Sequence, residues 1–172
     1  HVTAMAKDAA QNNAFWTKTL GLRRVKQTVN FDAPDVYHLY YGDDAGTPGS
    51  VMTYFPFPNI APGRPGTGEV GTTVFSVPEG SLGFWQERLL AAGARDLKVD
   101  DSFVQKRLNF LGPDGDGLAL VEDAADARAP WVHGGIGADK AIRGFHAATL
   151  RLRDAGATEE LEDRTPKNRT PP

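Results

Sequence analysis

The chain has four histidines and no cysteine, and these limits frame its chemistry. His1 opens the segment His1-Val2-Thr3-Ala4-Met5-Ala6, whose β-branched residues predict a short strand ending at the polar Lys7-Asp8. A histidine at the head of a strand that feeds a helix and further strands can face a cavity and bind a metal through neutral imidazole. Thr3 lies two residues on and shares its strand face, where its hydroxyl can meet a substrate or a bound water. His38 stands in the aromatic run Val36-Tyr37-His38-Leu39-Tyr40-Tyr41. Its plain reading is a hydrogen-bonded histidine in a sheet, and its sharper reading is a catalytic one. His133 falls in a glycine-rich stretch and is expected to be solvated. The absence of cysteine excludes disulfides, thiolate metal sites and a cysteine nucleophile, and it suits a reducing cytoplasm, the expected location.

The elements that must position these residues follow a repeated order. After the first strand, Phe15, Trp16 and Leu20 share one face of a helix that Gly21 stops. Strands are predicted over Leu22–Asn30, Val36–Tyr41 and Ser50–Phe55, with turns at Phe31–Asp35 and Gly42–Gly49. Residues 1–58 therefore form a β-α-β-β-β unit. Pro62, Pro65, Gly63, Gly66 and Gly68 mark 59–68 as a linker. The pattern restarts at 69–123: a strand Glu69–Val77, a helix Leu82–Ala92 with Ser81 as its expected N-cap, and strands at Leu97–Val99, Phe103–Leu111 and Leu118–Val121. Trp16 and Trp85 occupy matching places in the two helices, which marks both as core. Residues 124–141 read as a second linker, and 142–161 as the start of a third unit, with a strand over Ile142–Leu152 and a helix beginning at Ala157–Leu161. The 162–172 tail is charged and proline-bearing, without an apolar face, and is expected to be disordered. The fold class is thus α+β: tandem βαβββ units forming a partly open barrel-like sheet, with a truncated third unit that has nothing to pair with.

Composition narrows the partners. A chain of 172 residues with 40% hydrophobic and 24% charged content is an ordinary globular domain. Its net charge of −3 predicts no attraction to nucleic acid or to an anionic membrane. No apolar run approaches the roughly 20 residues that span a bilayer. The chain starts at His rather than Met, which fits a missing N-terminus. Gly112-Pro113-Asp114-Gly115-Asp116-Gly117 is a hairpin loop and not a phosphate loop, because no Lys-Ser/Thr follows and no helix begins there. Its acidic residues loosely suggest Ca2+, but the twelve-residue spacing with a terminal Glu is missing.

The tandem units joined by a Pro/Gly linker resemble the vicinal oxygen chelate superfamily, which includes glyoxalase I, bleomycin-resistance proteins and extradiol dioxygenases. Local motifs sharpen the resemblance toward ring-cleaving dioxygenases of the hydroquinone type. They are His1-Val2-Thr3, Val36–Asp43, Gly46–Gly49, Val77–Leu82, Leu120–Asp123 and Ile142–His146. The resemblance covers about residues 1 to 161 and implies a chain of four units. It implies Fe(II) held by two histidines and one carboxylate, with open positions for the substrate oxygens and O2. His1 matches the histidine of the first unit, and the other two ligands belong to a fourth unit that this sequence does not reach. His146 echoes His1 in the third unit and is implied to be vestigial.

A site built within the two complete units is not expected. Thr53 stands where a Glu would be needed, Thr72, Thr73 and Ala119 offer no second ligand, and Glu122 is three residues out of register. The expected function is a non-haem Fe(II) extradiol-type dioxygenase of hydroquinone-like aromatics, present as an N-terminal portion, with a small aromatic substrate and O2 as partners. The alternative is a metal-free module of the bleomycin-resistance type, binding a small aromatic in a cleft lined by Tyr37, Tyr40, Tyr54 and Phe55. An unpaired third unit would expose apolar surface and favour a homodimer.

Overall fold

The computed structural model describes residues 1–101, 105–156 and 158–160. The chain runs β1 (Val2–Ala6), α1 (Ala9–Ala14), β2 (Arg23–Val29), β3 (Tyr37–Gly42) and β4 (Met52–Pro56). It continues β5 (Glu69–Val77), α2 (Leu82–Ala91), β6 (Arg95–Asp100), β7 (Arg107–Leu111), β8 (Gly117–Glu122) and β9 (Gly144–Arg151). Helix α1 passes into a π-helical turn over Phe15–Thr19. The strand expected from Phe103 begins at Arg107, and its expected start at 103–104 lies outside the described residues, as do Ala157, Leu161 and the 162–172 tail.

The repeat is visible in the topology. The first sheet has the order β1-β4-β3-β2, with β1 parallel to β4. The second has the order β6-β7-β8-β5-β9, with β5 parallel to β8. β5 thus holds the place in the second unit that β1 holds in the first. The fold is α+β, with two mixed sheets that do not close into a barrel. The strand of the third unit is not left unpaired: β9 runs antiparallel along β5 from Glu69↔Arg151 to Ser76↔Gly144. The backbone groups on its β5-facing side are satisfied there, by extending the ladder at the sheet edge.

Both helices pack their apolar residues into one core shared by the units. Trp16 is fully buried and contacts Tyr41 and Tyr54 of the first sheet and Phe75 of the second. Trp85 and Leu89 of α2 join the same cluster with Leu108, Leu118 and Leu120. The 124–141 stretch is pinned as well as crossing: Ile136 and Ala141 are buried in that core, and the Lys140 carbonyl accepts from Trp85 Nε1 at 2.8 Å. Gly21 adopts φ +74° just past the π-helical turn, and a side chain there would collide with Ile136. No described helix is long and apolar enough to cross a membrane.

Candidate functional site

The first sheet has two unlike faces. Ala6 of β1, Leu39 and Tyr41 of β3 and Met52 and Tyr54 of β4 are buried on the helix side, with Val2 and Ala4 packed against them. Strand alternation turns His1, Thr3 and Met5 to the opposite side, together with Thr53, Phe55, His38 and Tyr40. His1 and Thr3 are exposed there. The register sets Thr3 beside Thr53, Thr53 beside Tyr40 and Tyr40 beside Lys26, a polar row across four strands. The three residues singled out in the sequence, His1, Thr3 and His38, therefore share one sheet face.

They do not share one point on it. His1 lies at the start of β1, whereas His38 starts the row that includes Phe55. Met5, which pairs with Phe55, lies four positions past His1, so the offset is about 13 Å along the strand. His38 and His1 cannot ligate one metal ion across that distance. His38 instead belongs to an aromatic ladder: its ring lies 4.0 Å from that of Phe55 and 4.1 Å from that of Tyr40. Its Nδ1 is 2.8 Å from the Tyr40 hydroxyl, and Lys26 Nζ sits 5.5 Å over the Tyr40 ring. Burial, and then the Lys26 charge, lower the pKa of His38, so the ladder holds a neutral imidazole.

Beneath Thr3, Thr53 is fully buried and its Oγ1 lies 2.9 Å from Thr3 Oγ1. In the sequence Thr53 figured only as a missing carboxylate. Its pairing with Thr3 follows from the parallel β1–β4 register, which strand-by-strand reading does not supply. Of the four aromatics expected to line a cleft, Tyr40 and Phe55 lie on the open face and Tyr37 is half exposed at the head of β3. Tyr54 is a correction: it is fully buried on the helix side, against Trp16. Alternation decides this, because Tyr54 falls between Thr53 and Phe55 on β4.

The remaining motif residues tie the molecule together. Ser81 sits at the head of α2, but its hydroxyl donates to the Pro78 carbonyl. Glu122 supplies the cap instead, with Oε1 accepting from Leu82 N at 3.0 Å. Asp123 faces His146 at 3.4 Å. Arg128 donates to Asp126 at 2.6 Å, to Ser76 Oγ and to the Phe145 carbonyl, and Phe145 N donates to the Gly49 carbonyl. The motifs at 46–49 and 142–146 thus meet in space. Neither acid of the Gly112–Gly117 loop is free for a cation: Asp114 accepts from Lys7 N at 2.8 Å, and Asp116 accepts from Tyr54 Oη at 2.8 Å. His133 is exposed and stacks on Trp131, with ring centroids 5.8 Å apart. An open groove of about 540 Å3 lies on the helix side between Lys18, Phe84 and Arg88, away from these residues.

A family model described as Glyoxalase/Bleomycin resistance protein/Dioxygenase superfamily matches residues 1–120. The chain belongs to this superfamily. Two curated members are similar over nearly all of it. One, named a ring-cleaving dioxygenase, MhqE, from Bacillus subtilis, is 44% identical over 94% of this chain and 53% of its own length. The other, named chlorohydroquinone/hydroquinone 1,2-dioxygenase, from Sphingobium indicum, is 36% identical over 88% of this chain and 49% of its own. The chain spans about half the length of the curated relatives it matches. A crystal structure named as a dioxygenase from Bacillus subtilis superposes with a TM-score of 0.90 at 37% identity, covering 95% of this chain and 52% of that one. A glyoxalase family protein from Enterococcus faecalis shares the superfamily fold at TM-score 0.56 and 21% identity, over 71% of this chain and 94% of its own.

Proposed function

We infer that the chain forms the first-unit wall of a ring-cleaving dioxygenase acting on hydroquinone-like aromatics with O2. The carrying observation is that His1 and Thr3 stand exposed on the open face of the first sheet, in a chain 36% identical to a named hydroquinone dioxygenase. In this reading an aromatic ring lies on that face. The Phe55–His38–Tyr40 ladder offers it a stacking surface. Thr3 offers a hydroxyl to a ring oxygen, and the Tyr40–His38 hydrogen bond keeps the ladder rigid.

Iron is the cofactor this reading calls for, and the described residues do not by themselves fit a complete site. Among them no group of three His, Cys, Asp or Glu can hold a metal ion. His1 would supply one ligand, and a complete site would need further donors beside it. The chain's own contribution is therefore to place one imidazole beside a hydroxyl and an aromatic surface.

Anaerobic addition of Fe(II) to the chain, followed by paramagnetic broadening of its NMR signals, tests the placement. Broadening centred on His1 and Thr3, and lost in His1→Ala, is expected. Broadening centred elsewhere, or unchanged in His1→Ala, overturns it. Hydroquinone binding that is indifferent to both Fe(II) and His1 would favour the metal-free module.

A further inference from the structure

Thr53 lies directly under the open face of the first sheet, fully buried on β4. Its hydroxyl makes one hydrogen bond among the described residues, to Thr3 Oγ1 at 2.9 Å. Each hydroxyl carries a single proton and can accept as well as donate. Were Thr3 to donate, the Thr53 proton would be left in a dry place without an acceptor, which is a costly arrangement. Thr3 is exposed, so its own proton always has a partner in water or ligand. The arrangement that satisfies both hydroxyls has Thr53 donating to Thr3 and the Thr3 proton turned outward.

We propose that Thr53 is a positioning residue, which fixes the Thr3 hydroxyl as an outward-facing donor beside His1, directed at a ring oxygen of a bound aromatic diol. The proposal rests on the open face being the substrate face. Thr3 and His1 are two residues apart on one strand, so their side chains stand about 7 Å from each other on that face. A ring of ordinary size spans the gap with one oxygen toward each. A hydroxyl fixed as donor discriminates in favour of an oxygen acceptor at that point. A freely turning hydroxyl gives up part of the interaction to its own rotation.

Two measurements on the 172-residue chain test this. In thermal melts, Thr3→Val strands the buried Thr53 proton and lowers Tm by roughly 3 °C or more, whereas Thr53→Val leaves Tm near wild type. A Thr53→Val loss equal to or larger than the Thr3→Val loss overturns the donor direction. In NMR titrations with hydroquinone, Thr53→Val weakens binding about five-fold and Thr53→Ser restores it. A core-packing role would instead leave Thr53→Ser, which removes a buried methyl, the worse of the two. If Thr53→Val binds as wild type while shifts still map to His1 and Thr3, the positioning role fails and the substrate face stands. If hydroquinone shifts nothing on this face in the wild-type chain, the substrate-face reading fails and the proposal falls with it.

Discussion

Tyr54 Oη donates a hydrogen bond of 2.8 Å to Asp116 Oδ2, joining the last strand of the first unit to the β7–β8 loop of the second. Asp114 of the same loop takes the amide of Lys7, at the end of β1. The acidic loop is thus the joint between the two units. Both of its carboxylates reach across to the unit that carries His1 and Thr3.

The joint carries a pH signature. Burial pushes the Asp116 carboxyl up to about 6; the Tyr54 hydrogen bond opposes the rise and the Asp114 charge adds to it. An unfolded aspartate titrates near 4, so between about 4 and 6 the folded chain holds the extra proton. Stability from this group therefore falls as pH rises through that window and is level above it. Asp116→Asn should abolish this part of the slope and stabilise the chain by about 2 kcal/mol at pH 7.5. Urea denaturation of both proteins between pH 4.5 and 7.5 checks it. A variant less stable than wild type across that whole range would contradict the account.

The cap on α2 makes a separate prediction. Glu122 satisfies one of the free amides at the helix N-terminus, that of Leu82. Glu122→Ala should cost about 1 kcal/mol in urea denaturation, and Glu122→Gln, which keeps an acceptor and loses the charge, about half of that.

How much of this was legible in the sequence depends on range. The two β-α-β-β-β orders, the core role of Trp16 and Trp85, and the placement of His1 and Thr3 on one face follow from local periodicity and alternation. Local patterns carry that information without any partner. What failed was long-range. Tyr54 looks like a cleft aromatic until β4 is set against the helix side, and then alternation buries it. Glu122, out of register for a metal on its strand, instead reaches 40 residues back to cap α2 through the amide of Leu82, a partner that local pattern does not show. β9 looked unpaired because its partner, β5, lies about seventy positions back, and antiparallel pairing at that distance leaves no local trace. The 124–141 stretch reads as a linker, and only the tertiary packing shows that Ile136 and Ala141 enter the core.

Arg128 should be the clamp that holds β9 in place. Its guanidinium holds the Asp126 carboxyl well below the usual carboxylate range and also reaches the Phe145 carbonyl. The Asp126 side chain is only 7% exposed, so Arg128→Met leaves a carboxylate without its counter-charge. A loss of about 2 kcal/mol is expected, with amide exchange over 144–149 accelerated at least about ten-fold. Arg128→Lys should recover part of it, since the charge survives and the forked geometry does not. Exchange that accelerates equally across β1–β4 would contradict a local clamp.

The aromatic ladder predicts a His38 that takes up its proton at lower pH than an ordinary histidine. Burial and Lys26 both lower its pKa. NMR titration should show the His38 imidazole protonating below the usual histidine range, and Lys26→Ala should move it upward. A His38 that titrates in the ordinary range and ignores Lys26→Ala would remove the ladder as a fixed surface.

The most direct test of the open face as a substrate face is an NMR map of hydroquinone binding to the whole chain. Shifts should centre on His1, Thr3, Tyr40 and Phe55, and His1→Ala should diminish them. Shifts confined to the helix-side groove of Lys18, Phe84 and Arg88, or no shifts at all, would contradict it.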